Sequence, residues 1–279
     1  MSYTKEAEWL ESMLQSSDIA IADCRFQLGN SRYGKEEYMK GHIPGAVYFD
    51  LEQDLSGPAG QHGGRHPLPK MEDIKEKLAS SGFGTGKTVI AYDNGEGAFA
   101  ARFWWLLTYM GHRSVYILNG GYTNWARKGL PVTAEMSQPE RSPFLLSIQE
   151  NMLASYDEVK KMASGGDGVL IDSRAHSRYI GAEEPLDKRA GHIPGALNYE
   201  WTDGLTDGFF KPGKEQAARF QKLNPDEEIV VYCGSGVTAT PNFLALKEAG
   251  FSRVRLYAGS YSDWVSYPNN PVETGDGQD

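Results

Sequence analysis

Short apolar runs alternate with amphipathic segments along the second half of the chain. "GVLID" (Gly168 to Asp172), "IVVYC" (Ile229 to Cys233) and "VRLYA" (Val254 to Ala258) are too short for helices and read as buried strands. Between them "EQAARFQKL" has helical spacing, and "TPNFLALKEAG" predicts a helix stopped at Gly250. "SYSDWVSY" predicts a further short helix with Ser260 as its N-cap. Unbroken apolar strands separated by helices predict an α/β fold with a mainly parallel sheet flanked by helices on both faces.

The same pattern is written twice. "KGHIPGAVYFD" (Lys40 to Asp50) recurs as "AGHIPGALNYE" (Ala190 to Glu200), and "IAIADCR" (Ile19 to Arg25) as "GVLIDSR" (Gly168 to Arg174). "TVIAYDNGEG" matches "IVVYCGSGVT", and "VYILNGGYTNW" matches "VRLYAGSYSDW". The offsets, in chain order, are 149, 150, 140 and 139, so a whole domain is duplicated. A solenoid repeat would have a period of about 20–50 residues. The expected division is 1–135, a polar proline-containing linker at 136–152, and 153–279.

Composition narrows the partners. The 279 residues carry 28 basic and 37 acidic side chains, a net charge of −9, which disfavours nucleic acid and anionic membrane surfaces. No apolar run approaches the roughly 20 residues of a membrane span, and the acidic N-terminus is unlike a signal peptide. Two widely separated cysteines make neither a disulfide framework nor a metal cluster, so a cytoplasmic location is the simplest expectation.

The chemistry centres on Cys233, which ends a strand and opens the loop Gly234, Ser235, Gly236, Val237 and Thr238 ahead of a helix. Glycines let such a loop turn several N–H groups inward, and the helix N-terminus adds positive potential. That is a setting for a nucleophilic thiolate, against the plainer reading of a buried structural cysteine. Cys24, with no glycine loop behind it, reads as structural; Asp93 holds the place of Cys233 in copy one. A cysteine phosphatase would need arginine where Ala239 stands. A nucleotide loop at "SSGFGTGKT" lacks its first glycine and precedes a strand. "HGGRH" (His62 to His66) reads as a loop and not as a helical metal pair. Arg174 and Arg178 follow the first strand of copy two and could clamp an anion at the rim of the cysteine loop. The plainer reading pairs them with Asp172, Glu183 or Glu184.

The doubled "GHIPGA", the "DSR" strand end, "YDNGEGAFAARFWW" and "CGSGVTA" together resemble the two-domain rhodanese superfamily over almost the whole chain. The resemblance implies two tandem rhodanese-like domains, only the second catalytic, and no cofactor or metal. It implies a sulfurtransferase whose cysteine carries sulfane sulfur as a persulfide to a thiol such as thioredoxin, a small thiol, or cyanide. "CGSGVT" is similar to the loop of 3-mercaptopyruvate sulfurtransferases; thiosulfate-preferring members carry Arg-Lys where Gly234 and Ser235 stand. Thiosulfate is the alternative donor, and a non-catalytic binding module is the reading outside enzymes. Carried over by position, Cys233 is the nucleophile, and Gly234 to Thr238 cradle the persulfide. Arg178 holds the donor carboxylate, with Arg189 the nearest candidate for a second arginine. Ser235 relays a proton with His42 as partner; copy one supplies one wall of the cleft through His42, with His66 a further candidate there. His192 is structural.

Overall fold

The structure is a computed structural model that describes residues 2–276. Two compact units emerge. The first comprises residues 2–57, Leu68–Gln149 and Thr206–Phe210; the second comprises Pro58–Pro67, Glu150–Leu205 and residues 211–276. The stretch 136–149, expected as linker, belongs to the first unit. Ser142 N–H bonds Ala79 C=O at 2.9 Å, and Gln149 N–H bonds Tyr109 C=O at 2.8 Å. Its polar composition hid a backbone that finds partners on the unit it follows.

The first unit holds β1 (Thr4–Lys5), α1 (Ala7–Met13), β2 (Ile19–Asp23), α2 (Tyr33–Lys40), β3 (Ala46–Tyr48), α3 (Met71–Ser80), β4 (Thr88–Tyr92), α4 (Ala98–Tyr109), β5 (Val115–Leu118) and α5 (Gly121–Arg127). Its sheet runs β1-β5-β4-β2-β3, all parallel. The second holds α6 (Tyr156–Ala163), β6 (Val169–Asp172), α7 (His176–Tyr179), β7 (Leu197–Asn198), α8 (Gly213–Arg219), β10 (Ile229–Tyr232), α9 (Ala239–Glu248), β11 (Val254–Leu256) and α10 (Ser260–Trp264). Between β7 and α8 lie the short strands β8 (Leu205–Thr206) and β9 (Phe209–Phe210). Its sheet runs β11-β10-β6-β7, again parallel. The apolar runs are central strands: every residue of β10 is buried, as a sheet covered on both faces requires.

The duplicated motifs have duplicated physics. His42 exchanges both backbone hydrogen bonds with Thr133, and His192 does the same with Glu273. Each "GHIPG" turn thus receives the end of its own copy. Each histidine stacks on a tyrosine, Tyr38 or Tyr179, at 3.8 Å, and its Nδ1 bonds that tyrosine's carbonyl.

Candidate active site

Cys233 follows β10 at its carboxyl end, where open parallel sheets bind ligands. The loop is clamped to the start of α10. Ser260 Oγ accepts the Cys233 N–H at 3.1 Å; Cys233 and Gly234 carbonyls accept from Tyr261 and Ser262 at 2.9 and 3.0 Å. Ser260 was expected as an N-cap but is the first residue of α10, at φ +56°. That left-handed conformation is costly for a side-chain-bearing residue. Its hydroxyl donates to Tyr257 C=O at 2.9 Å, so the same group fixes the turn and holds the cysteine. Gly236 adopts φ +77°, and a Cβ there would lie 2.2 Å from Ala258 O, so only glycine fits. Its N–H donates to Cys233 Sγ at 3.2 Å. Val237 C=O caps the first turn by accepting from Thr240 N–H and Oγ1, and Thr238 leads directly into α9.

The first unit displays what this loop shape does to an anion. There Tyr122 and Thr123 N–H clamp the carbonyls of Asp93 and Asn94 at 2.8 and 3.1 Å, the counterparts of the Tyr261 and Ser262 bonds. Asp93 Oδ1 accepts from Gly95 and Gly97 N–H at 2.9 Å each, and Oδ2 from Phe99 and Ala100 at 3.1 and 3.2 Å. Burial pushes the carboxyl up, and those four amides oppose it. At the offset of 140, Gly95 and Gly97 correspond to Ser235 and Val237. Neither of those two amides has an acceptor among the described residues. In unit two the Gly236 N–H is turned to the Cys233 sulfur, and the counterparts of two amides that unit one closes on its own carboxylate are left without an acceptor.

Ser235 Oγ pairs with His66 Nδ1 at 2.8 Å, both side chains buried. His66 arrives on Pro58–Pro67, the piece of copy one that folds into unit two. That piece is anchored by Gly63 N–H to Asp263 Oδ1 at 2.7 Å and Arg65 N–H to Ser262 Oγ at 3.1 Å. His42, expected as Ser235's partner, is committed within unit one: its ring nitrogens bond Tyr38 O at 2.7 Å and Glu135 O at 3.1 Å. The two histidines of "HGGRH" part company, since His62 bonds Ser266 and stacks on Tyr267. Among the described residues no group of three or more His, Cys, Asp or Glu gathers as a metal site.

The arginines divide by role. Arg178 bonds Glu184 at 2.7 Å and Asp187 at 2.9 Å and lies beside Gly234, where an added Cβ would sit 3.4 Å from its Nη1. Arg174, expected at the rim, is buried in the frame: it forks onto Asp172 at 2.6 Å, bonds Gly191 C=O and covers the Tyr261 ring. Arg25 does the same with Asp23, Gly41 and Tyr122 in the first unit, so an arginine at this position serves the frame of both units. Arg189 is tied to the carbonyls of Asn270 and Tyr267 at 2.8 and 3.3 Å, away from the role expected for it. Sequence reasoning missed Arg65, whose Nη1 pairs with Asp187 and whose Nη2 would lie 2.8 Å from a Cβ on Gly234. Burial raises the Glu184 carboxyl, but Arg178 and the amides of Asp187 and Leu186 more than offset this, leaving it below the ordinary value. Burial, with nearby Glu184, raises the Asp187 carboxyl against the lowering pull of the guanidiniums of Arg65 and Arg178. Cys24 is buried in unit one, and burial with nearby Asp23 pushes its thiol well up.

A duplicated parallel α/β unit with a strand-end cysteine in an amide cradle defines a class, and comparison with known proteins agrees. The rhodanese-like domain family matches residues 6–128 and 155–267, and the chain belongs to this family. It is 43% identical over 276 residues to a probable 3-mercaptopyruvate sulfurtransferase of Pseudomonas aeruginosa, covering 97% of each chain. It is 34% identical to a thiosulfate sulfurtransferase of Cricetulus griseus, over 96% of this chain and 92% of that one. Among solved structures it is similar to SseA of Escherichia coli, described as a 3-mercaptopyruvate sulfotransferase with the rhodanese fold. The TM-score is 0.85 at 33% identity, over 94% of this chain and all of the other.

Proposed function

We propose that the protein is a sulfurtransferase that moves sulfane sulfur from 3-mercaptopyruvate, through a persulfide on Cys233, to a thiol or cyanide. The observation that carries the reading is the pair of loops: one closes its amides on a fixed carboxylate, the other turns the Gly236 N–H to Cys233 Sγ and leaves the Ser235 and Val237 amides without an acceptor among the described residues. A carboxylate cannot carry sulfur, so the chemistry belongs to unit two.

In the first half-reaction Arg178 orients the donor carboxylate and the Cys233 thiolate attacks the donor sulfur. An S–S bond forms and the donor C–S bond breaks, its electron pair passing to the carbon of pyruvate enolate. The proton that leaves the donor sulfur ends on that carbon, with Ser235 and His66 as the relay. The outer persulfide sulfur, now anionic, rests among the loop amides. In the second half-reaction an acceptor thiolate, from thioredoxin or a small thiol, attacks it and restores Cys233. A reducing cytoplasm suits a cysteine that must stay free between turnovers.

Thiosulfate is the second reading, favoured by the paired guanidiniums of Arg65 and Arg178 beside Gly234. Set against it, the side chains at 234 and 235 are uncharged, whereas a compact dianion asks for cations at the cysteine itself. kcat/KM for the two donors, measured side by side with cyanide as acceptor, decides between them. A higher value for 3-mercaptopyruvate is expected; a strong thiosulfate preference overturns the donor assignment.

A further inference from the structure

Six charged side chains of unit two form one alternating chain: Asp172, Arg174, Glu184, Arg178, Asp187, Arg65. The links are 2.6 Å from Asp172 to Arg174, 3.0 Å to Glu184, 2.7 Å to Arg178 and 2.9 Å to Asp187, with Asp187 then pairing Arg65. The first five members are largely buried, whereas the Arg65 side chain is 33% exposed. Each interior member has a partner on both sides. Arg65 ends the row, and among the described residues its guanidinium has Asp187 alone. Its Nη2 edge occupies the space a side chain at position 234 would fill, next to the nucleophile. Glycine at 234 thus clears room for a cation that arrives from elsewhere in the sequence.

We propose that Arg65 is a second donor-binding side chain, its Nη2 edge taking the carboxylate of a small anionic sulfur donor alongside Arg178, with Asp187 as the positioning residue that holds both. This rests on the sulfurtransferase reading for the identity of the donor. The exchange of Pro58–Pro67 into unit two then has a chemical purpose: it delivers the cation and His66 together.

The test separates binding from chemistry. 3-Mercaptopyruvate is titrated calorimetrically into Cys233→Ser, Cys233→Ser/Arg65→Ala and Cys233→Ser/Arg65→Lys, with thermal melts confirming that each is folded. A charge-assisted hydrogen bond gives an expected rise in Kd of about tenfold or more for Arg65→Ala. Arg65→Lys recovers part of it, and added guanidinium ion strengthens binding to Arg65→Ala alone. A structural role would not respond to added guanidinium. Equal Kd within twofold, or no donor binding to Cys233→Ser, overturns the proposal. Failure of the sulfurtransferase reading shows separately: the wild type would gain no sulfur from the donor while Arg65-dependent binding persisted.

Discussion

Gly236→Ala tests the packing of the cysteine loop, and Gly250→Ala supplies its control. Both glycines have positive φ, +77° and +98°. A Cβ on Gly250 would meet nothing within 4 Å, so that variant isolates the cost of a left-handed alanine, about 1–2 kcal/mol. At Gly236 the added Cβ would meet the backbone oxygen of Ala258 at 2.2 Å, about 0.8 Å inside the 3.0 Å floor for real Cβ contacts. The obstacle is backbone two residues beyond β11, so the loop must move by most of that amount. For a unit of this size each kcal/mol lowers Tm by roughly 2–4 °C. Gly250→Ala should therefore melt about 2–8 °C below wild type and transfer sulfur normally. Gly236→Ala should melt lower still and lose on the order of 100-fold in kcat/KM, the scale expected when a reacting group is displaced by about 1 Å. Differential scanning calorimetry and a cyanide-acceptor assay read both effects. Equal melting of the two variants, with transfer by Gly236→Ala within threefold of wild type, would refute the reasoning.

Ser235→Ala and His66→Gln should each lower kcat by about 100-fold, as loss of a positioned acid–base group does. If the 2.8 Å pair works as one relay, the double variant is no worse than the worse single one; additive losses would separate their roles. Glu158 caps α6 through Ser155 and pairs with Arg255; burial raises its pKa, and those partners bring it down to about 2. Its folded pKa is below the unfolded value of about 4.3, so the stability it contributes is present above that pH and lost as pH falls towards 2. Being 47% exposed, it should contribute only about 1 kcal/mol, so Glu158→Gln should melt roughly 2–4 °C low at pH 7 and match wild type near pH 2. A gap that stays constant down to pH 2 would contradict this.

The strands were legible because buried parallel strands are written as unbroken apolar runs, and β6, β10 and β11 fall where such runs lie. Cys233 and its loop were legible because the duplication set them against Asp93. The exchange of Pro58–Pro67 was not, because a polar loop is placed by distant partners such as Asp263 and Ser262, which leave no local pattern. One signal was available. The offset between copies falls from 150 to 140 between "GHIPGA" and the next strand, so copy one holds ten residues there without counterpart. That surplus lies in the stretch containing Arg65 and His66. His42 drew attention instead because its motif is repeated, and the repetition marks a turn that both units need. Arg174 misled for the same reason, since a strand-end arginine in both copies serves the frame of each.

Intact mass after exposure to 3-mercaptopyruvate tests the central claim most directly. Wild type and Cys24→Ser should each gain the mass of one sulfur atom, and Cys233→Ser should gain none. The buried thiol of Cys24, pushed well above its ordinary pKa, is no competitor at neutral pH. A sulfur retained by Cys233→Ser, or none taken up by the wild type, would contradict the account.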